Sequence, residues 1–304
     1  MSESDIETAR PVVVLTALGL EYEAVRAHLK DAQRVIHENT WFEQGQVSGA
    51  ACPVVVAEVG PGNRPAAFVT EQARARFAPR AIFFVGVAGS LKADVRIGDV
   101  LVGTKIYAYD GAKHVDGASF ARPESWHAPY GLLQTARHAL KGDAWQQRVV
   151  SAGDRHGQAL PKVHFKPIAA GEAVLSSLDS ELRAMLLRNY NDATGIEMES
   201  AGLAAVGALG GVETLTIRGI SDCADNGKEA ADAAGSQPTA AAHAAAAAIE
   251  IIASLPDAAP QERSAGVPGA ASAVQVNTAN DRGVVNAVQH GNLTITQRPE
   301  PGAQ

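Results

Sequence analysis

Two carboxylates, Glu197 and Glu199, flank Met198 in the stretch Gly195-Ile-Glu-Met-Glu-Ser200. The residues that follow, Ala201-Gly-Leu-Ala-Ala-Val-Gly-Ala208, are small and apolar, as a helix packed tightly under a site would be. A second stretch, Leu215-Thr-Ile-Arg-Gly-Ile-Ser-Asp222, is a short β-branched run that ends on Ser221 and Asp222. Paired carboxylates can accept hydrogen bonds from sugar hydroxyls, and an acid at a strand end can exchange a proton with a ligand. Together they suit a nucleoside site. Taken singly, each has a plainer reading: Glu-x-Glu as a solvated helix edge, Ser-Asp as a turn or N-cap.

The elements that would carry these residues alternate between buried strands and helices. Pro11-Val-Val-Val-Leu-Thr16 reads as a buried strand, Ala17-Leu-Gly-Leu20 as the turn after it, and Glu21 as the start of a helix with Ala24, Val25 and Leu29 on one face. Glu21 and Glu23 then fall near the carboxyl edge of a strand, where open α/β sheets bind ligands. Otherwise they complement the positive end of the helix. Val54–Val59 is a second strand, running into Gly60-Pro-Gly62-Asn-Arg64 and a helix from about Pro65 to Phe77. Such a loop admits an anion to backbone amides, with Arg64 either on a phosphate or on the surface. Ala81–Val85 is a third strand, followed by Gly86-Val-Ala-Gly-Ser90, and Asp99 structures the turn into Val100–Val102. Beyond Leu175, Ser176-Ser-Leu-Asp179 resembles a helix cap and Leu178, Leu182, Met185 and Leu186 a helical core face. Cys223–Gln237 reads as a polar loop, and Thr239–Ala253 as a closing Ala-rich helix.

Residues 105–167 read as an irregular insertion in which aromatic residues such as Tyr109, Trp126 and Trp145 lie among bases such as Lys113, Arg122 and Lys162. Long irregular segments are usually functional or disordered. This one is expected either to close over a phosphorylated substrate or to serve as a subunit interface or solvated flap.

GIEMES at 195–200 and RGISD at 218–222, preceded by Gly60-Pro-Gly62, Gly86-Val-Ala-Gly-Ser90 and Ile97-Gly-Asp-Val100, resemble the nucleoside phosphorylase and nucleosidase superfamily. The resemblance covers roughly residues 10–255. It implies a three-layer α/β fold with a central mixed, partly barrel-like sheet flanked by helices. It also implies hydrolysis of a purine N-glycosidic bond, with Asp222 as the acid at N7 and Glu21 positioning the attacking water. Glu199, with Met198 and Glu197 beside it, would hold the ribose hydroxyls. Ala88, Gly89 and Ser221 would line the site, Val174 and Leu175 would clamp the purine, and Arg218 and Arg64 stand in the segments that could contact the substrate. An Asp at 222 implies a 6-aminopurine such as adenine. An acid at 21 favours water over phosphate, so hydrolysis is expected rather than the phosphorolysis of a salvage enzyme. A non-enzymatic nucleotide-sensing module is the remaining alternative, and the intact acid set at 21, 199 and 222 argues against it.

With 304 residues, 46% of them hydrophobic, the chain can bury a sizeable core. The net charge of −7 has acids and bases interspersed and points to neither nucleic acid nor an anionic membrane. Two cysteines suit a reducing compartment. The acidic start, Met1-Ser-Glu-Ser-Asp, is unlike a signal peptide, so a cytoplasmic protein is expected. The nine histidines show no metal-ligand spacing, and neither metal nor cofactor is expected. Residues 1–9 read as a disordered leader, 10–255 as the catalytic domain, 256–272 as a linker and 273–304 as a tail. Within the tail, 273–296 is β-prone and Asn/Gln-rich, which fits cross-β stacking or else an ordinary disordered tail, and it resembles the amyloid signalling motifs of immune effectors. That resemblance implies a receptor with a matching motif, and the superfamily resemblance implies a homo-oligomer.

Overall fold

A computed structural model describes residues 10–149, 160–177, 179–225 and 228–256. The expected leader, linker and tail, and Leu178, lie outside the described residues. One compact unit of the chain ends at Pro256.

Twelve strands and seven α-helices occur among the described residues. The valine-rich run at the start becomes β1 (Val12–Thr16), wholly buried and hydrogen-bonded in parallel to β4 (Val54–Glu58) on one side and β5 (Ala81–Ser90) on the other. A strand with neighbours on both edges and helices on both faces is apolar throughout, which is why this one does not alternate. Beyond β4 the sheet is extended by the antiparallel hairpin of β2 (Leu29–His37) and β3 (Thr40–Val47). Leu29 therefore opens a strand, although its spacing from Val25 suggests a helix face: the helix α1 (Gly19–Arg26) stops before it.

On the other side β5 pairs with β12 (Glu213–Asp222), which pairs with β6 (Val100–Ala108), then β10 (Val163–Ala170), then β11 (Gly195–Glu197). Two residues of β11 return to β5 in antiparallel register, Gly195 opposite Ser90 and Ile196 opposite Gly89. The five strands thus close a mixed barrel on one end of an otherwise open sheet. Leu101, Ile106, Ile168 and Ile220 of its walls form one cluster with Ala201 and Ala204 of α5 (Ser200–Gly210).

Helix α2 (Asn63–Phe77) packs with α5 over one face of the sheet, and the Ala-rich α7 (Ser236–Ala253) over the other. Small side chains let these helices approach closely. A Cβ on Gly219 of β12 would collide with the backbone of Ala240, and one on Gly202 of α5 with the carbonyl of Asn63.

The stretch 105–167 is more regular than expected. It holds the end of β6, a separate hairpin of β7 (Ala112–Val115) and β8 (Ala118–Ala121), β9 (Glu124–His127), α3 (Tyr130–Ala139), a 3₁₀ turn (Ala144–Arg148) and the start of β10. β9 pairs with β6, and Trp145 is fully buried against the α7 side of the core. Cross-strand pairing and buried aromatics, invisible to a search for simple periodicity, explain the difference. The helix after Leu175, α4 (Glu181–Asn189), begins later than expected, with Ser180 Oγ accepting from Arg183 N at 3.1 Å as its cap. A short helix α6 (Lys228–Ala233) interrupts the expected polar loop.

Candidate functional site

The carboxyl ends of β1, β4, β5, β10 and β12 converge on one cavity of about 190 Å³. Its lining brings together ten of the twelve residues expected from the sequence. Glu21, Glu197, Glu199 and Asp222 supply the acids, and Met198 and Ser221 stand beside them. Ala88 and Gly89 come from the end of β5, and Val174 and Leu175 from the loop after β10. Leu175 is buried, whereas Val174 is 63% exposed at the opening. Arg64 and Arg218 are not among the lining residues.

Glu21 is 2% exposed and fixed from two strands at once. One oxygen accepts from the N–H groups of Ala17 at 2.8 Å and Leu18 at 3.0 Å, the other from Val87 N at 2.8 Å. Burial lifts its pKa above the ordinary value, with Arg218 and the three amides opposing that rise. Gly86 makes the arrangement possible, because a Cβ there would collide with both the Glu21 carboxylate and the Arg218 guanidinium.

Glu199 occupies the N-cap position of α5, yet its side chain turns away from that helix. Oε1 accepts from Gly62 N at 3.0 Å and Oε2 from Arg218 Nη2 at 3.1 Å. Gly62 can present its N–H this way because its φ is +103°, a conformation strained for any residue with a Cβ. Glu197 caps α5 instead: it accepts from the backbone N–H groups of Glu199 and Ser200 and from Ser200 Oγ at 3.0 Å. Burial raises the Glu197 pKa, against the pull of Arg218.

Arg218 has no exposed surface. Its guanidinium lies 4.7 Å from the centre of the Phe84 ring and pairs with Glu197 and Glu199. Burial acts against its charge, but Glu197, Glu199 and Glu21 outweigh that and hold the pKa above its ordinary value. Its place is therefore beneath the acids and outside the cavity lining. The reason is charge: three buried carboxylates need a counter-ion, and an arginine fork satisfies two of them directly. Arg64, near the start of α2, is exposed.

Asp222 closes β12 at 3% exposure. Ser221 Oγ donates to one of its oxygens at 2.9 Å and Ala224 N to the other at 2.8 Å. A register shift between Ile220 and Asp222 sets it against Gly89 of β5.

Several supports lie in segments noted in the sequence but were not singled out there as site residues. Ala17, Leu18, Pro61, Val87, Ala173 and Ile196 complete the lining. Tyr109, buried at the end of β6, donates to the Ala173 carbonyl at 3.3 Å, and a Cβ on Gly171 would collide with its ring. Asp99 accepts from Lys162 N, Arg96 N and His164 Nε2, which makes it the structural residue expected. Among the described residues no cluster of His, Cys, Asp and Glu could hold a metal ion.

Among curated relatives, the chain is 26% identical over 224 residues to 5′-methylthioadenosine/S-adenosylhomocysteine nucleosidase of Chromohalobacter salexigens, covering 72% of this chain and 86% of that one. It is 24% identical over 236 residues to the ATP nucleosidase Cap17 of Escherichia coli, covering 72% of this chain and 47% of that protein. Among solved structures, the Neisseria meningitidis 5′-methylthioadenosine/S-adenosylhomocysteine nucleosidase in complex with methylthio-immucillin-A superposes with a TM-score of 0.68 at 25% identity, over 81% of this chain and all of that one. A native futalosine hydrolase of Helicobacter pylori shares the fold with a TM-score of 0.66 at 20% identity, over 81% of this chain and 98% of that one. Residues 11–253 match the model of the phosphorylase superfamily, and with the barrel and the acids at its rim inside that span, the chain belongs to that superfamily.

Proposed function

We propose that this enzyme hydrolyses the N-glycosidic bond of an adenine nucleoside or nucleotide. The observation that carries the choice of water over phosphate is the charge of the floor. Among the described residues four acids line the cavity, Arg218 beneath them is paired with carboxylates, and no lysine, arginine or histidine is in the lining. A phosphate nucleophile would meet uncompensated negative charge there.

In this reading Asp222 delivers a proton to N7 while the electron pair of the C1′–N9 bond moves into the purine. Ser221 and Ala224 N–H fix the orientation of its carboxyl. The ribose carries the resulting oxocarbenium charge and is held by Glu199 through its hydroxyls. Water adds at C1′ and gives its proton to Glu21. A base works best when its pKa lies near the operating pH, and burial moves Glu21 in that direction. Leu175 and the exposed Val174 would pack on the purine.

Similarity to relatives acting on methylthioadenosine and on ATP leaves both substrate classes in play. The lining favours the nucleoside, because Leu18, Pro61 and Met198 are uncharged and no described cation of 105–167 reaches it. The similarity to an ATP nucleosidase, with the amyloid-like run at 273–296, favours an effector that depletes adenine nucleotides once a receptor with a matching motif engages the tail. A homo-oligomer in the cytoplasm fits either reading. Phe68 (63% exposed) and Leu209 (91% exposed) on α2 and α5 offer apolar surface for a second copy.

The test is release of free base, followed by chromatography, from methylthioadenosine, adenosine, AMP and ATP, each with and without inorganic phosphate. Release without phosphate is expected. A strict phosphate requirement would overturn hydrolysis, and binding of adenine with no turnover of any substrate would favour the sensing module.

A further inference from the structure

Asn63, the first residue of α2, touches two parts of the site at once. Its Oδ1 accepts from Gly202 N at 3.0 Å, in the first turn of the helix that Glu199 begins. Its Nδ2 donates to the carbonyl of Gly171 at 3.2 Å, where the loop carrying Ala173, Val174 and Leu175 leaves β10. The preceding Gly62 N–H holds Glu199 itself. We infer that Asn63 is a positioning residue that fixes the base-binding loop relative to the ribose-binding carboxylate.

The chemistry of the side chain is particular to this task. A primary amide offers one acceptor and two donors on a short stem, so it can satisfy an N–H and a carbonyl from two directions. Aspartate would keep the bond from Gly202 and lose the one to Gly171. Serine is too short to span both. The site also has no slack to absorb a loss: α2 and α5 are already in contact where a Cβ on Gly202 would collide with the Asn63 carbonyl. The loop is anchored at three further points, where Gly171 N donates to Glu197 O at 3.1 Å, Tyr109 Oη donates to Ala173 O and Asp110 accepts from Glu172 N at 3.0 Å. The Gly171 N–H holds the loop to β11 and the other two anchors lie past Gly171, so without Asn63 the loop would keep its fold. It would lose the tie from the Gly171 carbonyl to the first turn of α5, loosening its placement against Glu199. A substrate grips the two ends of this distance at once, the purine on the loop and the sugar on Glu199. A free base grips only one.

The inference rests on the nucleosidase reading, and the experiment separates the two. In the full-length chain, Asn63→Ala and Asn63→Asp are assayed for kcat and KM with the best substrate, for adenine affinity by calorimetry, and for melting temperature. Misplacement of this kind costs about tenfold to a hundredfold in rate. The expected result is a fall of that size in kcat/KM for both variants, with adenine affinity changed less than threefold and melting within a few degrees of wild type. Should Asn63→Ala unfold, Asn63→Asp retains the Gly202 bond that joins the helices and carries the test alone. Unchanged kcat/KM in a folded variant, or a loss of activity that tracks the unfolded fraction, would overturn the positioning role. Absence of base release by the wild-type protein would defeat the nucleosidase reading instead, a result visible before any variant is made.

Discussion

At the scale of single residues, the site is a balance of buried charge. Three carboxylates surround one guanidinium, and the proton affinities of Glu21 and Glu197 rise as a consequence of their burial. A carboxylate whose folded pKa is raised binds its proton more tightly in the native state than in the unfolded chain. Its stabilising contribution is thus fully present below the ordinary carboxylate value and is lost as pH rises through the raised one. Melting temperature measured without ligand should fall as pH climbs through that window, and Glu21→Gln should flatten the fall. The same variant should lose the acid limb of the kcat/KM profile, since a neutral amide has no proton to shed. Asp222→Asn should lower the rate of base release by about 10² to 10⁴, the usual worth of a positioned proton transfer, in a stopped chromatographic assay. From their spacing alone these acids suited a nucleoside site or a plainer helix edge and turn, and the superfamily resemblance of the segments around them made the site legible. Arg218 was legible as a site residue but not in its true place. Nothing in the run Ile217-Arg-Gly reveals which carboxylates will surround a buried arginine, because those partners come from other strands and helices.

The acids depend on elements that cannot be moved apart. Glu21 is bonded to amides from the ends of both β1 and β5, and Gly86 clears the space between it and Arg218. Gly86→Ala should therefore cost activity through displacement of both side chains. We expect a loss of at least tenfold in kcat/KM with adenine affinity largely retained, measured by steady-state kinetics and calorimetry. The buried strands β1, β4 and β5 were readable as apolar runs, and the Ala-rich α7 as a helix before a proline. The β2–β3 hairpin was not, since its residues alternate weakly and Leu29 falls in register with the preceding helix. The hairpin and strands within 105–167 were hidden for a similar reason: their order comes from pairing with β6 and with each other.

For the whole molecule, the compact unit ends where Arg80 Nη2 donates to the Pro256 carbonyl at 2.7 Å. Every described residue lining the cavity precedes that point. A chain truncated after Pro256 is expected to release base from the preferred substrate at a rate within about twofold of the full chain, measured at the same protein concentration. A drop of several-fold would mean that the segment beyond Pro256 takes part in turnover. The distribution of charge under the cavity has a further consequence for the range of reactions open to this scaffold. Arg218 is sealed from solvent, 4.7 Å from the centre of the Phe84 ring and shared among acids, so it has no freedom to swing toward an incoming anion. Neutralising Glu21 alone would remove the proposed base without recruiting a cation. A lineage moving from water to phosphate as nucleophile would need at least two coordinated changes, one to free or add a positive charge and one to withdraw a negative one. Between them lies an intermediate competent at neither reaction, so specificity for the nucleophile is protected by a valley in sequence space rather than by any one side chain.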